Sequence, residues 1–202
     1  QEGTFYDGWS YFLALEKQFS KKHSLALTVF GAPTKRGSSA ATVQEAYDLA
    51  SSNYYNPNWG LQEGKKRNAR IKQNNEPEFI LNHYWNINEK TKLNTAVSYS
   101  FGTNEWSSLN WYNAPDPRPD YYRYLPSYQT DPDVINLITQ AWKDDVNTSQ
   151  INWSELYQVN YLRNLAGKQA SYIQENNVTS TSQFTFSTTL NKEVNNHLIT
   201  TG

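Results

Sequence analysis

The stretch Leu93-Asn-Thr-Ala-Val-Ser-Tyr-Ser-Phe-Gly102 alternates between larger, mostly apolar side chains and small or polar ones. Successive side chains of a β-strand point to opposite faces, so an extended conformation places one set of five on each side. The larger set is Leu93, Thr95, Val97, Tyr99 and Phe101. The smaller set is Asn94, Ala96, Ser98, Ser100 and Gly102. Taken alone, this pattern is also typical of a half-buried strand in a soluble sheet, so the rest of the chain has to decide.

The composition favours short apolar strands separated by long polar connections. Only 37% of the 202 residues are hydrophobic, yet 15% are aromatic, with 15 Tyr and 7 Trp. The mean hydropathy is −0.82. Charged residues make up 18% and the net charge is −1, so the composition indicates neither disorder nor a nucleic-acid partner. The absence of cysteine excludes disulfide bonds and thiolate metal sites.

Six strands are predicted, at residues 9–19, 25–31, 79–87, 93–102 and 182–190 and from residue 197 onward. Three short polar turns close hairpins, whereas residues 32–78 and 103–181 form two long loops. In an up-and-down meander this alternation places all short turns at one end and all long loops at the other. Outer-membrane barrels have short periplasmic turns, long extracellular loops and strands of about 9–11 residues. The pattern predicts a mainly β, antiparallel meander that forms part of an outer-membrane β-barrel.

Short helices are predicted inside the two long loops. Thr42-Val-Gln-Glu45 matches a capping box that would open one helix. Asp131-Pro132 suits the N-cap and first position of a second helix. Either Asn152 or Ser149 could cap a third helix.

Four stretches resemble the barrel region of Bacteroidetes TonB-dependent outer-membrane receptors. They are Tyr6-Asp-Gly-Trp-Ser-Tyr-Phe-Leu-Ala-Leu-Glu-Lys-Gln-Phe19, Phe30-Gly-Ala-Pro-Thr-Lys-Arg-Gly37, Tyr54-Tyr-Asn-Pro-Asn-Trp-Gly60 and Trp111-Tyr-Asn-Ala-Pro-Asp-Pro-Arg-Pro-Asp-Tyr-Tyr122. The likeness runs through nearly all of residues 1–202. It implies a barrel of about 22 strands with an N-terminal plug and a periplasmic TonB box. Neither the plug nor the TonB box occurs in this sequence, which is therefore interpreted as an internal fragment of the barrel.

The sequence offers little for catalysis. The three histidines, His23, His83 and His197, lack the spacing of metal ligands, so surface or barrel-wall roles are predicted for them. Gly60-Leu-Gln-Glu-Gly-Lys65 is one residue too short for a phosphate loop, and no Ser or Thr follows its Lys. We therefore predict no enzyme activity, no catalytic residue, no cofactor and no metal site.

Aromatic and charged residues crowd the second long loop, and they are the candidate ligand-binding residues. The set is Trp106, Trp111, Tyr112, Asp116, Arg118, Asp120, Tyr121, Tyr122 and Arg123. Aromatic rings with a few placed polar groups are typical of ligand pockets. The same residues could instead pack the loop against its neighbours. The basic run Lys65-Lys-Arg-Asn-Ala-Arg70 is interpreted as a solvated face, with contact to lipopolysaccharide phosphates as the alternative.

The resulting prediction is a fragment of a TonB-dependent receptor in the bacterial cell outer membrane, which captures a nutrient at the cell surface for energised import. The resemblance implies four partners: the TonB complex acting through regions outside this fragment, outer-membrane lipid, an unknown small nutrient ligand, and a possible partner lipoprotein. The alternative is an adhesin-like cell-surface module that binds a glycan or protein without transport. A barrel-embedded hydrolase is the third possibility.

Overall fold

The computed structural model describes all residues from Gln1 to Gly202, which divide into two compact units. The loop unit comprises Gln1–Asp7, Lys35–Lys72 and Glu105–Asn177. The strand unit comprises Gly8–Thr34, Gln73–Asn104 and Val178–Gly202. The chain is mainly β with antiparallel pairing and few helices, which confirms the predicted class in this coarse form.

Eleven strands are present: β1 (Phe5–Gly8), β2 (Tyr11–Gln18), β3 (His23–Gly31), β4 (Thr34–Gly37), β5 (Trp59–Gln62), β6 (Lys65–Asn68), β7 (Ile71–Asn75), β8 (Glu78–Asn88), β9 (Thr91–Trp111), β10 (Tyr172–Val194) and β11 (His197–Thr201). The four α-helices are α1 (Gln44–Leu49), α2 (Pro132–Asp144), α3 (Val146–Ser149) and α4 (Trp153–Leu165). Two single 3₁₀ turns span Tyr122–Tyr124 and Pro126–Tyr128. None of the four helices combines the length and the apolar character needed to cross a bilayer.

In the strand unit, β2, β3, β8 and β9 are neighbours in that order, and each is antiparallel to the next. Strand β10 pairs with β9 and, in antiparallel register, with β11. Strands β2 and β11 have one pairing partner each, so the sheet is open. The main strands thus follow one another across the sheet in chain order.

The three short turns of the strand unit lie beside one another. The backbone N–H of Asn86, near the end of β8, donates to the carbonyl of Lys22 in the first turn at 2.8 Å. The backbone N–H of Glu193, near the third turn, donates to the carbonyl of Lys90 in the second turn at 2.8 Å. All three turns therefore lie at one end of this sheet, where the alternation of connection lengths predicts them.

The pairing register gives the strand unit one mainly apolar face and one mixed face, on which small and polar residues lie beside a few aromatic and aliphatic ones, because directly opposite residues share a face. The rows of the apolar face are Leu13 with Val29, Phe79 and Tyr99; Leu15 with Leu27, Leu81 and Val97; Lys17 with Leu25, His83 and Thr95; and His23 with Trp85 and Leu93. The rows of the other face are Phe12 with Phe30, Glu78 and Ser100; Ala14 with Thr28, Ile80 and Ser98; Glu16 with Ala26, Asn82 and Ala96; and Gln18 with Ser24, Tyr84 and Asn94.

The prediction of about six strands is wrong in number, because the two long segments contain strands of their own. Residues 32–78 hold the whole of β4, β5, β6 and β7 together with α1. Strand β9 extends nine residues past Gly102, and β10 begins ten residues before Ser182. These added strands are polar, so apolar periodicity does not reveal them, and backbone pairing defines them instead. The hairpin of β5 and β6, for example, turns at Glu63 and Gly64, which both have positive φ, as a tight two-residue hairpin requires.

The loop unit has a core of its own, built from two clusters of buried side chains. The first consists of Ala46, Tyr55, Leu125 and Trp142, and the second of Ala69, Ile151, Trp153 and Leu156. Gly60 sits against the second cluster, and a Cβ there would lie 1.8 Å from the carbonyl oxygen of Ile151. Only glycine permits this approach, which also lets the Ile151 N–H donate to the carbonyl of Trp59 at 3.0 Å.

The helix caps agree with the sequence in two of three cases. The Asp131 side chain accepts from the Asp133 N–H at the start of α2, and Asn152 does the same from the Glu155 N–H in α4. The capping box at Thr42 is wrong, because α1 begins after Val43 without any side-chain cap. The Thr42 hydroxyl instead donates to Asp120 Oδ2 at 2.6 Å. A long-range partner has replaced the local one.

Candidate ligand-binding site

Two of the cavities in the loop unit have Trp111, at the end of β9, in their walls. The first cavity, of about 330 Å³, also has Arg70, Arg118 and Asp120 in its wall. The second cavity, of about 410 Å³, is bordered by the segment that follows β9. Six of the nine predicted ligand-binding residues line one or both cavities: Trp111, Asp116, Arg118, Asp120, Tyr121 and Arg123. The structure thus brings together most of the set that the sequence indicates.

Arg118, in the wall of the first cavity, and Asp116, in the wall of the second, form an ion pair with two hydrogen bonds. Arg118 Nε donates to Asp116 Oδ1 at 3.0 Å and Nη2 donates to Oδ2 at 2.6 Å. The Asp116 side chain is only 4% exposed, so the pair compensates an otherwise buried charge. The hydrogen bond to Asp116 raises the pKa of Arg118 despite the opposing effect of burial. The Arg118 guanidinium also lies 5.4 Å from the centre of the Trp111 ring, which helps to hold both side chains in place.

Asp120 has one oxygen bonded and one without a partner. Its Oδ2 accepts from the Thr42 hydroxyl, whereas its Oδ1 is buried and has no hydrogen-bond partner. Burial, and secondarily the negative charge of Asp120, raises the pKa of Tyr55 above its ordinary value. The Tyr55 hydroxyl donates to the carbonyl of Ser149 at 2.7 Å, so the tyrosine is not available to Asp120 as a donor. Asp120 therefore keeps acceptor capacity for another group.

An aromatic cluster borders the second cavity. The ring of Tyr121 meets Tyr122 edge-on at 4.8 Å and Tyr124 at 5.2 Å between centroids. The Tyr124 hydroxyl donates to the carbonyl of Asp116 at 3.0 Å, and burial raises the pKa of Tyr124. Arg123 Nε donates to the Tyr122 hydroxyl at 2.9 Å, which lowers the pKa of that tyrosine. This cluster offers ring edges and one cation to a ligand.

Three predicted residues lie outside the two cavity walls. Trp106 on β9 is 48% exposed and lines neither cavity. Tyr112 is equally exposed, and its hydroxyl donates to Glu175 at 2.9 Å. Tyr122 contacts the cavity residues Tyr121, through its ring, and Arg123, through its hydroxyl, but lines neither cavity itself. Trp106 and Tyr112 are close to the cavity residues in sequence, but their side chains line neither cavity.

Arg70 is the main residue that the sequence did not place in the site. It belongs to the basic run interpreted as a solvated face, and it lies at the end of the β6–β7 connection. Its backbone is bonded on both sides, to Asn68 and Ser38, and this positions it in the wall of the first cavity. In the sequence, only its position sets Arg70 apart, because Asn68 and Ala69 separate it from the other three basic residues of the run. The neighbouring Arg67 instead stacks on Trp153 at 3.9 Å and serves the core.

Two histidines that the sequence separates by 60 positions meet in the strand unit. His23 Nδ1 and His83 Nε2 are 3.0 Å apart on the apolar face, and His23 stacks on Trp85. The sequence spacing of the histidines does not reveal this contact, since diagonal cross-strand contact depends on register rather than on sequence spacing. No third histidine, cysteine or carboxylate joins them to complete a cluster of metal ligands.

The loop unit thus presents two cavities with aromatic, cationic and anionic groups in their walls. The geometry suits the binding of a small polar molecule, because the free donors and acceptors lie next to rings and apolar side chains. No protein-family model, curated protein or solved structure matches this chain.

Proposed function

We propose that this chain is part of a TonB-dependent receptor of the bacterial outer membrane, which captures a small nutrient at the cell surface for energised import. The strand unit would form part of the barrel wall in contact with lipid. The loop unit would hold the nutrient. The TonB complex would act through parts of the receptor outside this chain.

The observation that carries the proposal is that no other part of the protein buries the apolar side chains of the strand unit. Only one of its residues, Gly31, is buried, while large apolar side chains are exposed. On the apolar face Leu15 is 57% exposed and Leu81 44%. A sheet with a whole apolar face bare of protein is not stable against water, since exposed apolar patches of this extent mark contact with a partner or a membrane. Lipid would supply that contact.

The layout of the apolar face supports lipid as the contact. The middle row of Leu15, Leu27, Leu81 and Val97 is wholly aliphatic, whereas the next row combines Leu25 with Lys17, His83 and Thr95. Aromatic rings lie towards both ends, as in the girdles of barrels at the two membrane interfaces. At the end away from the short turns, Phe101 stacks on Phe79 and Tyr99. Near the short turns, Trp85 stacks with His23. Strands β3 and β8, with 9 and 11 residues, have the length of one tilted crossing.

The test uses single cysteines, since this chain contains none, and any cysteine elsewhere in the complete protein is first replaced by serine. Leu27→Cys and Thr28→Cys are neighbours on β3 but lie on opposite faces of the sheet. Each is placed in the complete protein, spin-labelled and reconstituted into phospholipid vesicles. The label at position 27 should collide with oxygen in the bilayer rather than with a water-soluble nickel complex. A label at Lys21→Cys in the first turn is the control and should favour the nickel complex.

A label at position 27 that favours the nickel complex, with the protein folded, would overturn the barrel proposal. Transport is tested separately in cells with and without the gene, grown on single nutrients supplied at low concentration. We expect cells without the gene to grow more slowly on at least one nutrient, and cells depleted of TonB to show the same defect. Binding at the surface without any growth defect would favour the module that binds without transport.

A further inference from the structure

The wall of the first cavity contains two oppositely charged side chains, Asp120 and Arg70, neither of which forms an ion pair within the protein. Asp120 lines it and has an oxygen without a hydrogen-bond partner. Arg70 lines it too, and its guanidinium makes no hydrogen bond or ion pair. Arg118 is also in the wall, but its charge is already paired with Asp116. The charges of this wall that lack an ion pair are therefore the Asp120 carboxylate, which Arg118 also influences electrostatically, and the Arg70 guanidinium.

Leaving the buried Oδ1 of Asp120 without a partner costs free energy, whereas Arg70 is an exposed residue. A buried acceptor without a donor costs about 1–3 kcal/mol, and more if it is charged. Asp120 and Arg70 are too far apart to relieve each other, since no ion pair joins them. A molecule that reaches both would satisfy the two groups at once.

We propose that the first cavity binds a small zwitterion, an amino acid or a dipeptide, with its ammonium group on Asp120 and its carboxylate on Arg70. A simple cation would gain Asp120 but be repelled by Arg70. A simple anion would gain Arg70 but be repelled by Asp120. A neutral sugar would leave both charges uncompensated, so the zwitterion is the class that matches the cavity best.

The size and the remaining wall agree with this class. The cavity volume of about 330 Å³ lies at the lower end of the range for ligand pockets, which is about 300–1,000 Å³. A cavity of this size suits a small molecule no larger than a dipeptide. The wall also contains the polar residues Asn58, Ser108 and Asn110, together with the apolar side chains of Ala40, Ala69, Leu109, Ile151 and Trp111. These side chains would take an apolar side chain of the ligand.

The Asp120 carboxylate is held ready for this contact by a residue distant in sequence. The Thr42 hydroxyl donates to Oδ2 at 2.6 Å and restricts the carboxylate, so little further ordering is needed when a ligand binds. The backbone bonds of Arg70 to Asn68 and Ser38 anchor its main chain in the same way. This assignment rests on the proposed function for its biological role, because it names the nutrient class of the receptor.

The test is calorimetric titration of the complete, folded protein in nanodiscs with alanyl-leucine. Three matched probes are titrated beside it: N-acetylated alanyl-leucine, alanyl-leucine amide, and the neutral disaccharide maltose. We expect acetylation and amidation each to weaken binding at least about 10-fold, because each removes one of the two charges. Maltose should bind more weakly still. These arms need no protein variant.

Variants then assign the two contacts. Asp120→Asn should remove the difference between the free and acetylated dipeptides, and Arg70→Gln should remove the difference between the free and amidated ones. Lys65→Gln, an exposed change in the same basic run, is the control and should leave all affinities unchanged. Near-UV circular dichroism checks that each variant is folded.

Equal binding of free and capped dipeptides, binding of maltose alone, or no binding of alanyl-leucine would each overturn the assignment. A failure here is distinct from a failure of the receptor proposal, which is decided by lipid contact at position 27. A protein that contacts lipid but does not bind the dipeptide keeps the first proposal and loses this one.

Discussion

The two units of this chain bury their apolar side chains in opposite ways. Every buried apolar residue belongs to the loop unit, where Trp142 and Trp153 are 4% and 3% exposed. In the strand unit the large apolar side chains stay exposed, as with Trp9 at 64% and Phe184 at 67%. The loop unit follows the ordinary rule for a protein in water, whereas the strand unit does not.

This difference teaches that one chain can be stabilised by two different environments. The loop unit gains its stability from packing within itself, since burial of apolar surface is the main favourable contribution to folding. The strand unit has complete backbone pairing between neighbouring strands but no side-chain core. Its stability must therefore depend on what contacts its apolar face, and the proposals above identify that contact as lipid.

The largest expected effect is the loss of a core tryptophan from the loop unit. Trp153→Ala should destabilise this unit by about 3–5 kcal/mol, because it opens a cavity in the second cluster and removes the surface on which Arg67 stacks. Hydrogen exchange of helix α4, followed by mass spectrometry, measures the loss. Trp9→Ala in the strand unit is the matched control, and it should lower the free energy of unfolding by only about 0.5 kcal/mol, because Trp9 is exposed. Equal losses in the two variants would contradict the contrast between the units.

A smaller but more specific effect is expected for a charge on the apolar face of the strand unit. Leu27→Lys lies in the middle of β3 and should cost about 2–4 kcal/mol in a bilayer, because a lysine would have to enter the hydrocarbon layer. The midpoint of urea unfolding of the complete protein in vesicles measures this cost.

Thr28→Lys is the matched control for that variant, because it introduces the same charge one residue away on the mixed face. Its unfolding midpoint should move much less. If the two lysines shift the midpoint equally, the two faces do not differ in environment, and the distinction between the units loses its physical basis.

The smallest expected effect concerns a cap within the loop unit. Asn152→Ala removes the acceptor for the Glu155 N–H at 3.1 Å and should lower the stability of α4 by about 1 kcal/mol. Ser149→Ala, the alternative cap residue from the sequence, should have no effect on this helix. Amide exchange in the first turn of α4 distinguishes the two variants. A response of α4 to Ser149→Ala would show that the capping assignment is incorrect.

Local chemistry made much of the fold predictable. The alternation over residues 93–102 correctly separates the two faces of β9, and the caps at Asp131 and Asn152 are correct. The facing of β8 was ambiguous, because the misfit His83 lies on one face and Asn82 on the other. Pairing with β3 and β9 resolves it, since the register of a strand is set by its neighbours.

The candidate site was predictable as a segment but not as a geometry. Residues 106–124, in which rings and charges crowd, contribute to the walls of both cavities. Nothing in that segment predicts that Thr42 bonds to Asp120 or that Arg70 enters the same wall. Both residues come from the first long segment, and contacts between distant segments leave no periodic signal.

The sequence by itself therefore determined the two faces of β9, the short turns and the caps of α2 and α4, because each depends on residues within a few positions of one another. Only the tertiary structure decided that His23 meets His83, that Arg118 is neutralised by Asp116, and that Arg70 and Asp120 stay unpaired in one cavity. Those outcomes depend on strand register and on long-range packing. A difference of one residue in register exchanges the faces of a strand, and the local pattern cannot report which partner lies across from it.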